Sequence, residues 1–287
     1  MTVGDLYNSF YYSRLTTNGA GTTLGTTALA NIKQRIEYGT RYLCGDGKKV
    51  TVSFWARSSI AGKRLGISLG KSYGTGGSPT TAEVINGTNW TLTTTWTKYS
   101  YTFTTNTLVG KTFGTSNNDY LEPSFWYMWA DQYKDRIGAD SAETYVGSGT
   151  IDIAQVQLCA GDVALPFMPK SYEEELRACE RDFCKTFPYE TKPEQNAGVG
   201  GALRTQAVNA SSFLYHNWNF PVRMRTTPSI TTYNPSATNN NWRDENAGVD
   251  KSAAIANQTD RAVTLVMNTT TTEGNLLAIH ATADAEL

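Results

Sequence analysis

Residues 50–57 read V-T-V-S-F-W-A-R, and residues 63–69 read K-R-L-G-I-S-L. In the first stretch Val50, Val52, Phe54 and Ala56 alternate with Thr51, Ser53, Trp55 and Arg57. In the second, Leu65, Ile67 and Leu69 keep the same two-residue phase. Successive side chains of a strand point to opposite faces, so this period predicts strands with one face in a core. Residues 32–38 and 150–158 extend the pattern, residues 96–104 set aromatics among Thr and Ser, and residues 120–129 are strongly aromatic. Residues 70–78 are Gly-rich and predict a loop, and residues 1–30, with Tyr7, Phe10, Tyr11 and Tyr12, predict an irregular or edge-strand lead-in. Short strands parted by Gly, Asn and Thr turns predict a β-sandwich, and their density suits a jelly roll over residues 1–168.

One helix interrupts the strands. Ser171 is placed to N-cap, Glu174 follows three residues later as a capping box requires, and Glu173 to Glu175 put negative charge at the positive end of the helix dipole. Tyr172, Leu176, Cys179 and Phe183 fall on one stripe. That stripe can pack within the chain or against copies of itself about a threefold axis. Residues 169–190 are thus a connecting helix. Residues 192–201 are a polar linker. Strands at 213–220, 222–225, 229–233, 262–267 and 276–281 then predict a smaller antiparallel β-domain over residues 191–287. The fold class expected is all-β.

Composition narrows the function. Charged residues are 18% of the 287, against roughly 25% in an average chain, while aromatics reach 11%. Disordered chains are polar but lack aromatics, so this chain is expected to fold. A net charge of −1 gives no field to attract nucleic acid or an anionic membrane. No run of about 18 apolar residues exists to insert in a bilayer, and the first ten residues do not read as a signal peptide. Cys44, Cys159, Cys179 and Cys184 lack CxxC spacing and read as reduced thiols of a protein made in a cytoplasm.

Four motifs occur in order: residues 34–37 with 47–58 (Q-R-I-E, G-K-K-V-T-V-S-F-W-A-R-S), 153–167 (I-A-Q-V-Q-L to A-L-P-F), the helix 171–183 (S-Y-E-E-E-L-R-A-C-E-R-D-F), and 220–231 (F-P-V-R-M-R-T-T-P-S-I-T). Together they resemble the receptor-binding portion of bacteriophage tail fibres, in which a carbohydrate-binding-module-like jelly roll is joined through a short helix to a C-terminal β-domain. The resemblance covers residues 32–287. It implies a virion protein, a tail-fibre or spike component made in a bacterial host cytoplasm. Such a protein assembles as a homotrimer, contacts other tail or capsid proteins and binds a bacterial surface glycan. The chain departs from that pattern in reaching the jelly roll within about 30 residues of Met1, which leaves open a short fibre, a fibre tip or a capsid decoration. The resemblance also brings in a structural calcium near the last strand of the jelly roll as an option, with Asp152 as a ligand. The remaining oxygens that such an ion needs are not identifiable from sequence.

Catalytic constellations are sparse. His216 and His280 have no metal-ligand partners at a working spacing. Polysaccharide hydrolysis uses two carboxylates some 5–10 Å apart. The local supply is Asp131, Asp135, Asp140 and Glu143, with Asp119 and Glu122 beside Trp126 as a second group. A solvated loop is the ordinary reading of the first group, the second is the weaker candidate, and no catalytic residue is assigned. Binding is better supplied, because sugars stack their C–H faces on aromatic rings. The candidates are Trp90, Trp96, Tyr120, Trp126, Tyr127 and, in the loop region 238–250, Trp242. Alternation in F-W-Y-M-W turns Trp126 away from Phe125 and Tyr127, so one set is core and the other outward.

Overall fold

The computed structural model describes residues 12–19, 25–144, 147–209 and 213–286. The chain divides into two compact units, one within Met1–Met168 and the other Pro169–Glu286. Tyr7, Phe10 and Tyr11 lie outside the described residues.

The first unit is built from β1 (Ser13–Asn18), β2 (Leu29–Lys33), β3 (Ile36–Glu37), α1 (Gly39–Leu43), β4 (Lys49–Ser58), β5 (Arg64–Ser72), β6 (Glu83–Thr91), β7 (Thr97–Thr104), β8 (Tyr120–Trp129), a 3-10 helix (Asp131–Ile137) and β9 (Ser148–Ala160). One sheet runs β1-β9-β4-β7 and the other β2-β8-β5-β6, with β3 as a short extra partner of β8. Every pairing is antiparallel. If β3 is set aside, the eight strands interleave between two sheets as a jelly roll requires.

The alternating positions of the sequence face the interior. Val50, Val52, Phe54 and Ala56 of β4 meet Leu65, Ile67 and Leu69 of β5, with Phe103, Leu121, Phe125, Tyr127, Ile151 and Ile153. Each such aliphatic or aromatic side chain contributes about 1.5–3 kcal/mol by leaving water. Phe54 is the centre of the aromatic packing, edge-on to Phe125 at 4.9 Å and to Trp90 at 5.5 Å. Strand β6, which carries Trp90, was not legible in the sequence. Between Ile85 and Thr88, at Asn86 and Gly87, it holds a register shift against β5, and the apolar period is lost there. The 70–78 loop begins later than expected, because Gly70 to Ser72 continue β5.

The second unit holds α2 (Tyr172–Asp182), β10 (Phe183–Lys185), β11 (Leu203–Gln206), β12 (Leu214–Asn219), β13 (Ser229–Tyr233), β14 (Trp242–Asp244), β15 (Val249–Lys251), β16 (Ala253–Ala256), β17 (Ala262–Met267) and β18 (Leu276–Asp284). Strand β18 organises it. Leu276 to Ile279 pair with β11, Ala278 and Leu277 also meet β14, and the far half pairs with β10 and β13. A three-stranded sheet, β12-β17-β16, supplies the other layer. Trp242, Val263, Leu265, Met267, Leu277, Ile279 and Cys184 share the core. The helix begins with the capping box: Ser171 Oγ accepts from Glu174 N–H at 3.3 Å, and Glu174 Oε2 accepts from Ser171 N–H at 2.8 Å. It ends at Asp182 rather than running through Phe183, which is extended and opens β10. Residues 222–225, expected as a strand, form none.

All four cysteines are free thiols; Cys44, Cys159 and Cys184 are buried and Cys179 is exposed. Burial pushes the Cys44 thiol up to about 11 and the Cys184 thiol up to about 12, so both stay protonated and poor nucleophiles.

Candidate functional site

The outward face of the sheet β2-β8-β5-β6 is decided by what alternates with the core. In β5 the residues between Leu65, Ile67 and Leu69 are Gly66, Ser68 and Gly70; in β8 the outward set includes Glu122, Ser124 and Trp126. Small side chains at the sheet centre leave a depression where large ones flank it. A shallow groove of about 130 Å³ results, lined by Leu29, Asn31, Lys33, Ser68, Gly70, Val84, Glu122, Ser124, Trp126 and Arg136.

Two elements shape it. At one end the 3-10 helix lies against the sheet. A Cβ on Gly66 would come within 2.8 Å of Ile137, so only glycine lets the helix approach this closely. Ile137 packs with Trp126, Trp129 and Ala139, and Tyr133 lies 5.7 Å from the Trp126 ring. Asn89 Nδ2 ties the helix end down by donating to the carbonyls of Ile137 and Gly138 at 3.1 and 3.0 Å. At the other end Glu122, only 8% exposed, forms ion pairs with Lys33 at 2.9 Å and Arg35 at 3.2 Å. The Arg35 guanidinium also sits 4.7 Å from the ring centre of Tyr120. Across the floor, Trp126 Nε1 donates to Ser68 Oγ at 2.8 Å.

The aromatic candidates scatter. Trp126 lines the groove, only 3% exposed beneath the 3-10 helix. Tyr120 borders it, half-buried, through Arg35. Tyr127 is core, 4% exposed. Trp90 turns inward against Phe54 and Tyr99. Trp96 belongs with the other sheet: Arg57 lies 4.7 Å above its ring and Tyr12 meets it edge-on at 5.7 Å. Trp242 corrects the loop expectation: it is fully buried in β14, donating to the Val266 carbonyl at 3.2 Å. Sequence reasoning missed Asn31, Lys33, Arg35, Ser68, Gly70, Ser124 and Arg136. The available signal was the run of Gly and Ser on the outward phase of β5.

Asp152 lies on the other sheet and is a structural anion. Its Oδ1 accepts from Arg14 Nε at 2.7 Å, and its Oδ2 accepts from Arg14 at 2.9 Å and from Arg57 Nε at 2.9 Å. The hydrogen bonds from Arg14, aided by Arg57, hold its carboxyl below the usual range against the opposing effect of burial. Two guanidinium groups fill the places that a calcium ion would need, and the residues present do not fit the ion. Among the described residues no group of three or more His, Cys, Asp and Glu is placed to hold a metal.

The carboxylates considered for hydrolysis are either exposed or held in ion pairs. Asp131, Asp135 and Asp140 are exposed, whereas Glu143 is buried between Lys63 Nζ at 3.0 Å and Arg64 Nε at 2.5 Å. Asp119 pairs with Arg41 at 2.7 Å. His280 is buried too, bridging Thr186 Oγ1 at 2.9 Å and the Gly198 carbonyl at 3.0 Å.

No family model matches the chain, and no curated protein does. Among solved structures, a CBM4 structure shares 13% identity over 47% of this chain and 78% of its own, with a TM-score of 0.29. The N-terminal cellulose-binding domain of Cellulomonas fimi β-1,4-glucanase C shares 14% over 53% and 90%, with a TM-score of 0.27. The CBM22-2 xylan-binding domain of Paenibacillus barcinonensis Xyn10C shares 18% over 55% and 94%, with a TM-score of 0.28. At such scores the functional reading rests on the groove.

Proposed function

We propose that the first unit binds a saccharide in the groove across β2, β8, β5 and β6, without chemical conversion. The observation that carries this reading is the lining itself. A floor of hydroxyl and glycine positions (Ser68, Ser124, Gly70) is flanked by exposed apolar side chains (Leu29, Val84), an amide and charged side chains (Asn31, Lys33, Glu122, Arg136). Sugars need that mixture: apolar surface for ring faces, and paired donors and acceptors for adjacent hydroxyls. Glu122 is the single carboxylate in the lining and is already shared by two cations. Glycoside hydrolysis needs two carboxylates, so binding fits the lining better.

Retention of the full chain on immobilised polysaccharides tests this, with Ser124→Trp as the blocking variant. Retention lost in a variant that melts like the parent supports the groove. Retention that survives the block would move the site elsewhere.

The ordered motifs at 34–58, 153–167, 171–183 and 220–231 support a wider reading: a bacteriophage tail-fibre or spike component that recognises a bacterial surface glycan as a homotrimer. The exposed helix supports self-association. None of its residues is buried, Tyr172 is 58% exposed, and Cys179 of the same stripe is exposed. A solution mass near three times 31.5 kDa is expected, and weak single sites would gain from such multivalency. A monomer would favour an accessory or decoration role.

A further inference from the structure

We infer that the groove selects saccharides carrying anionic groups, carboxylate foremost; this rests on the saccharide reading above and names its ligand class. The chain as a whole carries a net charge of −1, so a cationic excess at one place is local rather than general. Around the groove stand Lys33, Arg35 and Arg136, against the single carboxylate of Glu122. Glu122 divides its two oxygens between Lys33 and Arg35, which leaves one positive charge in excess at that end.

Arg136 supplies another at the opposite end. It projects from the 3-10 helix, its guanidinium 5.1 Å from the ring centre of Tyr133, and among the described residues no carboxylate forms an ion pair with it. Its nearest acids in sequence, Asp135 and Asp140, are exposed and form no ion pair with it among the described residues; Asp131 pairs with Lys134 at 3.3 Å, and Glu143 is enclosed by Lys63 and Arg64. The Arg136 guanidinium contacts Tyr133 through the ring face, and its N–H groups remain to donate. A planar fork of that kind matches a carboxylate in bidentate fashion. Both cationic ends lie on one groove, so a chain of acidic sugars can meet them in turn while its hydroxyls face Asn31, Ser68 and Ser124.

The test compares ligands that differ in charge alone. Oligogalacturonides, their methyl esters and a panel of neutral, carboxylated and sulfated polysaccharides are titrated against the full chain at low and high salt. Free-acid ligands are expected to bind at least about tenfold tighter than their neutral counterparts, with the advantage shrinking as salt screens the charges. Arg136→Gln, checked for unchanged melting, should remove most of that advantage. The sulfated members show whether carboxylate or any sugar oxyanion is read. Equal binding of acid and ester, still abolished by Ser124→Trp, would overturn the charge selectivity and leave the groove standing. Binding to no member of the panel would overturn the saccharide reading itself.

Discussion

The indole N–H of Trp126 donates to the hydroxyl of Ser68 on the neighbouring strand, 2.8 Å away and out of contact with solvent. This bond joins the floor of the groove to its wall. Ser68→Ala leaves a buried donor without a partner, at a cost of about 1–3 kcal/mol. A urea melt should show that loss, together with weakened ligand retention. An unchanged midpoint would mean that water replaces the hydroxyl.

Gly66→Ala tests the seat of the 3-10 helix. The new methyl would stand 2.8 Å from Ile137, closer than carbon atoms approach. Either the helix lifts or the strand shifts, and overpacking of this kind costs about 1–3 kcal/mol. Because the helix carries Arg136, ligand affinity should fall along with stability. Lost stability with intact affinity would show that the helix does not shape the groove.

Asp152 should behave as an anion for arginines. Addition of a chelator is expected to leave the melting temperature where it was. Asp152→Asn is expected to lower it, because Arg14 and Arg57 then face a neutral group that itself brings donors. A melting temperature that falls in chelator and recovers with calcium would reinstate the metal.

Acid should destabilise the fold from its carboxylates. Burial alone would raise Glu83, but hydrogen bonds from Lys111, Lys71 and Tyr73 outweigh it and hold the carboxyl at about 2 against its ordinary 4.5. Asp152 and Asp244 are lowered as well. A folded-state pKa below the unfolded one means that the unfolded chain takes up protons first. The stability these groups provide is therefore complete above the unfolded value and is lost as pH falls towards the folded one. Denaturation at fixed urea should rise progressively between pH 4.5 and about 2. Glu83→Gln should flatten that dependence. A dependence that Glu83→Gln leaves unchanged would assign the acid sensitivity to other groups.

The two-residue period of β4 and β5 was enough to give the strands, their buried faces and the sandwich, because burial of alternate apolar side chains is a local pattern with a global result. The capping box of Ser171 and Glu174 was equally legible, since both partners lie within one turn. The site was legible only in fragments. Trp126 and Tyr120 were singled out for their rings, whereas Lys33, Ser68 and Arg136 come from three separate elements and carry no motif. Trp242 shows the opposite failure: a Trp amid Asn and Asp reads as a loop, yet pairing of β14 with β18 draws it into a core.

By itself the sequence determined which side chains must leave water, and with that the all-β class, the strand faces and the helix start. Only the tertiary structure decided which outward faces are flat, filled or hollow. That depends on strand order and on the docking of the 3-10 helix at Gly66, relations between residues distant in sequence that no local pattern encodes. The same holds for Asp152. Its sequence neighbours gave no reason to expect two arginines, and the pairing of β9 with β1 and β4 supplies both.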